Sequence, residues 1–206
     1  EIYRGDCFLD HQAIESQFTR IASQYSILHL VMHTMIDDEN PLMSKLFFTD
    51  ETGTENDGCL HVYEIYNLDL QNKLVFLSGC NTGFGKLYQG EGLMNLARGF
   101  IYAGSESLII SLWEVNDKSG HDVVKSFYDY LGDGIDADVA LQKAKCDYLD
   151  RAVQFKTIPY FWAAYNLVGN HRITLKPSSD SQIKYYIIMI LVVSVVIVLI
   201  IRKKVS

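Results

Sequence analysis

The 206-residue chain contains four cysteines, Cys7, Cys59, Cys80 and Cys146, and no C-x-x-C pair among them. Structural zinc sites rely on such closely spaced pairs, so the sequence gives no sign of one. The wide spacing also supplies no disulfide framework. No G-x-S-x-G elbow occurs, and the opening residues Glu1 to Gly5 have no apolar core of a signal peptide. There is no internal repeat and no low-complexity tract. With no initiator methionine, the sequence reads as a fragment of a longer chain.

Charge is also missing where it matters most. Residues 185–201 form a 17-residue run without a charge, followed by Arg202, Lys203 and Lys204. At about 1.5 Å per residue in a helix, the run just spans a hydrocarbon core of about 30 Å. All 25 acidic residues and 15 of the 18 basic ones precede it, leaving a head of net charge −10 and a tail of +3. Nucleic-acid binding needs clustered Lys and Arg, so a head this acidic argues against that partner. The expected organisation is a domain over residues 1–175, a linker over 176–184, a membrane-spanning helix over 185–201 and a basic tail over 202–206. The basic tail leans toward the cytoplasm by the positive-inside rule, and the side of the head is left open.

Two short apolar runs carry the chemistry. Ile27 to Met32 stops at His33, and Leu74 to Gly79 stops at Cys80. Runs of this length between turn-forming residues read as buried strands of a parallel sheet. In such sheets ligands and reacting groups gather beyond the carboxyl ends of the strands. The pattern therefore offers a thiol nucleophile and an imidazole base at one sheet edge. A buried structural cysteine and a satisfied core histidine fit the same two residues, and the residues alone leave both readings open.

Helical patterns alternate with the strands. Asp10 to Ser23 reads as a helix, and Thr34 to Ser44 as a loop. Leu46–Phe48 and Cys59–His61 read as the arms of a hairpin, and Val62 to Tyr66 as one helical turn. Helices are expected over Glu91–Ala103, with Gly104 as a left-handed cap, from Asp117 to about Leu131, and from Asp136 or Asp138 through Leu149. A third buried strand is expected at Leu108–Leu112 and a late one at Phe161–Val168. Cys146 reads as a small core residue. The alternation predicts an α/β domain with a mainly parallel sheet covered by helices on both faces.

Six blocks in order resemble the CHAT domain, a bacterial caspase-like family often fused to tetratricopeptide repeats. They are Ile27–His33, Glu39–Ser44 (ENPLMS), Ser78–Gly83 (SGCNTG), Gly90–Gly92 through Ala103–Gly104, Ser111–Asp117 (SLWEVND) and Tyr160–Gly169 (YFWAAYNLVG). The resemblance implies a caspase-like fold and a cysteine endopeptidase needing no metal or organic cofactor. It makes His33 the catalytic histidine and Cys80 the nucleophile, with the backbone N–H groups of Thr34 and Cys80 forming the oxyanion hole. Ser111, Leu112 and Trp113 would hold a protein substrate as an extended strand. Glu91 and Asp117 lie at the expected rim, where they favour a basic substrate side chain or simply sit at helix N-termini. Upstream tetratricopeptide repeats would be expected in a full-length bacterial protein. Two departures stand out: Thr34 replaces the usual glycine or alanine after the histidine, and Asn81 the usual glutamate after the cysteine. The other function the resemblance allows is a catalytically degenerate module serving as a signalling or protein-interaction platform.

Overall fold

A computed structural model describes residues 5–37, 39–50, 56–78 and 91–175. The side chains of residues 91–95 and 117 fall outside that description. The expected mainly parallel sheet is present. It contains β1 (Ile27–Val31), β5 (Leu74–Ser78), β6 (Ser107–Ser111) and β7 (Tyr165–Gly169), in the spatial order β1-β5-β6-β7. β1, β5 and β6 run parallel, and β7 returns antiparallel to β6. A smaller antiparallel sheet holds β2 (Thr34–Met35), β3 (Lys45–Phe47) and β4 (Cys59–His61).

Alternation along the strands divides the core in two. Leu28, Leu30, Val75, Leu77, Leu108 and Ile110 face one side. There they meet Phe18 of α1 (Glu15–Ile21), Val62 and Ile65 of α2 (Val62–Ile65), and Leu96, Ala97 and Phe100 of α3 (Glu91–Tyr102). Leu74, Phe76 and Ile109 face the other side. They pack on Val123 and Phe127 of α4 (Asp117–Gly132) and on α5 (Ala137–Arg151), whose Ala137, Ala140 and Ala144 are fully buried. β5 and β6 are buried on both faces, which explains their unbroken apolar sequences. β1 instead alternates buried and exposed, because it lies at the sheet's edge among the described residues.

Several local expectations are corrected. The helix expected over Asp10–Ser23 is α-helical only over Glu15–Ile21. Residues 10–14 are tied elsewhere: the Thr49 hydroxyl donates to the Asp10 carbonyl (2.7 Å), and the Thr49 N–H donates to that of Ala13 (2.8 Å). The stretch Thr34–Ser44 is not all loop, since Thr34 and Met35 pair with Leu46 and Lys45. The late strand starts at Tyr165, not Phe161. Pro159 opens a 3₁₀ turn before it, and the Trp162 indole N–H donates to the Thr157 carbonyl (3.0 Å). Cys146 is exposed, since α5 turns the face bearing Ala140, Ala144 and Tyr148 inward. The Cys59–His61 hairpin arm pairs with Phe47–Lys45 as expected.

Asn72 is the polar link between the helical and sheet layers. It is fully buried, and its side-chain amide donates to the carbonyls of Ala22 (2.8 Å) and Tyr25 (2.5 Å). Its Oδ1 accepts from the Ser105 hydroxyl (3.4 Å), and its backbone carbonyl from Glu106 N–H (2.9 Å). Truncation would strand two carbonyl acceptors away from water. Asn72→Ala is expected to cost about 3 kcal/mol, read as a lower midpoint in urea unfolding with an unchanged slope.

Candidate active site

Parallel strands bring their carboxyl ends to one edge. Val31, the last residue of β1, is in register with Ser78, the last residue of β5. His33 lies two residues past the first, and in the sequence Cys80 lies two residues past the second. Cys80 and the loop after it, residues 79–90, fall outside the described residues. His33 is exposed, and its carbonyl accepts the Phe47 N–H (3.0 Å), which anchors the turn from β1 into β2. The imidazole thus leaves the sheet from a fixed backbone position.

Thr34 has an unusual environment. Its residue is 4% exposed, and its hydroxyl oxygen has no hydrogen-bond partner among the described residues. The bond from Phe47 to His33 makes that pair the hydrogen-bonded one, so Thr34 opposite Leu46 turns its N–H away from β3. Among the described non-glycine residues only Asp10 has positive φ, so Thr34 sits in ordinary extended backbone. A buried hydroxyl without a partner costs stability. Thr34→Val keeps the shape and removes that penalty; it is expected to hold stability or raise it by up to about 1 kcal/mol, as judged by thermal unfolding.

His29, four residues before His33, belongs to the packing. Its ring lies 4.8 Å from that of Phe76 and 5.5 Å from that of Tyr128, centroid to centroid. Its Nδ1 is 3.3 Å from the Tyr128 hydroxyl. Desolvation lowers its pKa from the ordinary histidine value, although the residue as a whole is exposed.

The proposed substrate residues meet the same edge. Ser111 ends β6 and is buried. Leu112 and Trp113 form a bend beyond it rather than further strand. The Leu112 N–H donates to the Ala164 carbonyl (3.0 Å), and the Trp113 indole N–H to that of Tyr160 (2.9 Å). β6 is flanked by β5 and β7, and its register with β5 stops at Ile110. An added strand therefore has room only past that point.

Glu91 is the first residue of α3 and Asp117 the first of α4, so both hold helix N-terminal positions. The cap of α4 comes from Asn116, whose side-chain oxygen accepts from Ser119 N–H (3.4 Å). Sequence reading missed the aromatic surface beside Trp113. Phe161 packs edge-on against both Phe155 and Tyr160, and Phe155 and Tyr160 are exposed. The Trp113 bond to Tyr160 crosses 47 positions, which no local pattern announces.

No group of three metal-binding side chains occurs among the described residues. Nor is any helix among them long and apolar enough to cross a membrane. The run at 185–201 lies outside them.

Comparison with known proteins supplies the kinship. The chain is 31% identical over 117 residues to tetratricopeptide repeat protein 28 of Mus musculus, and 30% identical over 117 residues to that of Homo sapiens. Each match covers 56% of this chain but only 5% of the relative. A family model described as CHAT domain matches residues 3–170. That match takes in the two main strands, the turn at His33 and the closing β7, and the chain belongs to the CHAT domain family.

Proposed function

We propose that this chain is a caspase-like cysteine endopeptidase, held at a membrane by residues 185–201. The observation that carries the reading is the register of Val31 with Ser78, which gives His33 and Cys80 equal offsets beyond two adjacent strand ends. In this mechanism His33 takes the Cys80 thiol proton and the thiolate attacks the substrate carbonyl carbon. The N–H groups of Thr34 and Cys80 stabilise the resulting oxyanion. The imidazolium returns its proton to the leaving amine, and the amide C–N bond breaks. Water, deprotonated by His33, then cleaves the thioester and regenerates the thiol. No step calls on a metal or an organic cofactor. The substrate is a protein segment extended past the end of β6, beside Ser111, Leu112 and Trp113. Glu91 and Asp117 act mainly at their helix N-termini.

The test is covalent labelling. A peptide acyloxymethyl ketone should modify the full chain once, at Cys80, and His33→Ala should slow that reaction at least tenfold. Modification spread over Cys7, Cys59 and Cys146, or a rate indifferent to His33→Ala, would reject the dyad. It would leave the module as an interaction platform. Residues 185–201 should keep the chain in the membrane fraction through an alkaline wash, and deleting everything from Ile183 onward should release it.

A further inference from the structure

The chain contains two Asp-Gly bonds, Asp57–Gly58 and Asp133–Gly134, and no Asn-Gly bond. Such bonds are chemically weak points. The glycine nitrogen can attack the aspartyl side-chain carbon, because no Cβ on the following residue shields it. The fold treats the two bonds in opposite ways.

Asp133–Gly134 is locked. Asp133 ends α4 with φ of −73° and ψ of 0°, which eclipses the Gly134 nitrogen with the Asp133 nitrogen rather than with Cβ. Closing a ring onto the side chain needs the second arrangement. Reaching it would break the bonds from Gly134 N–H to the Leu131 carbonyl (3.1 Å) and from Ile135 N–H to the Tyr130 carbonyl (3.2 Å).

Asp57–Gly58 has no such lock. It leads into β4 outside any helix or strand, and the Gly58 N–H donates to no other group among the described residues. The Asp57 Oδ1 accepts the Cys59 N–H (2.9 Å), so the carboxyl is folded back across the Gly58 peptide. The hairpin also calls for glycine at this point. Gly58 has φ of +69°, and a Cβ there would stand 3.2 Å from the Asp50 Cα and 3.3 Å from the Phe48 carbonyl oxygen. The local fold thus demands the neighbour that least hinders ring closure. Both reacting groups are adjacent in the chain, so the reaction needs no partner surface.

We propose that Asp57 is a site of spontaneous isomerisation to isoaspartate. The Gly58 nitrogen bonds to Asp57 Cγ, its proton leaves with the carboxyl OH as water, and a cyclic imide forms. Water then attacks the main-chain carbonyl carbon of Asp57 and breaks its bond to the Gly58 nitrogen, which regains a proton. The main chain now runs through Cβ and Cγ, one carbon longer, and the former main-chain carbonyl becomes a free carboxylate. One water leaves and one enters, with no oxidant or reductant. The extra carbon lies just ahead of Cys59, whose pairing with Phe47 ends the β3–β4 ladder. The inference is independent of any peptidase activity.

The test is ageing of the purified full chain in detergent, both folded and unfolded in guanidinium chloride, with folded Asp57→Ser beside it. Incubation continues until both Asp-Gly bonds of the unfolded sample have isomerised. An endoprotease that cuts before aspartate but not before isoaspartate, followed by mass spectrometry, reads each bond separately. In the folded wild type, Asp57 should convert several-fold faster than Asp133. Asp57→Ser keeps a side-chain oxygen for the Cys59 N–H but has no carboxyl to cyclise, so it should gain no isoaspartate at that bond. Conversion of Asp57 no faster than Asp133 in the folded chain would overturn the proposal. So would an Asp57 that stays intact in the folded chain, or an isomer at that bond that persists in Asp57→Ser.

Discussion

Cys80→Ala is expected to leave no measurable peptide-bond cleavage, while Cys59→Ala and Cys146→Ala keep wild-type turnover. The reason is position. Cys59 opens β4, on the far side of the small sheet's hairpin, and Cys146 lies on the solvent face of α5. In the sequence Cys80 comes two residues after β5, a strand buried on both faces whose last residue is in register with the end of β1, two residues before His33. Removing a nucleophile deletes the covalent pathway itself, so residual rates should fall by several orders of magnitude. The measurement is hydrolysis of whichever peptide the wild type cleaves, with folding of each variant checked by its thermal midpoint. Wild-type turnover in folded Cys80→Ala would sink the assignment.

A second large effect concerns stability. Gly104 follows α3 with φ of +109°, and a Cβ there would stand 2.0 Å from the Leu70 carbonyl oxygen. Backbone occupies that space, and the neighbouring Leu70 N–H bonds to the Ala103 carbonyl at 2.6 Å, so neither side can retreat cheaply. Gly104→Ala should cost about 4 kcal/mol or more, a large part of a typical domain's 5–15 kcal/mol. Gly134 provides the comparison. Its φ is +82°, but a Cβ at that position would meet nothing within 4 Å, so Gly134→Ala should cost only about 1 kcal/mol. Urea unfolding of both variants checks the pair. Equal losses would mean that backbone conformation, not the clash with Leu70, governs Gly104.

β5 and β6 were legible because burial on both faces forces unbroken apolar runs, as in Leu74–Ser78. Gly104 was legible as a helix stop because only glycine takes its φ without strain. Direction and order were not. Tyr165–Gly169 reads the same whether it joins parallel or antiparallel, and nothing local places β1 outermost among the described strands. Thr34 and Met35 are too few to show a period, so their pairing with β3 emerged only in three dimensions. At the site, the offsets of His33 and Cys80 from their strands could be read directly. The burial of Thr34 and the tie from Trp113 to Tyr160 depend on contacts distant in sequence.

The two faces of the sheet are also separated in time. α1, α2 and α3 all precede β6 in the chain, whereas α4, α5 and β7 all follow it. A ribosome therefore completes one side of the core before it has begun the other. From Ser107 to Tyr165, at about 5–20 residues per second, translation takes roughly 3–12 seconds. Until α4 and α5 emerge within that interval, Leu74, Phe76 and Ile109 have no helix to cover them, and through all of it β6 has no partner on its outer side. The nascent chain carries a half-built, adhesive surface for seconds, and its yield in a cell should depend on chaperones that reach it before β7 emerges.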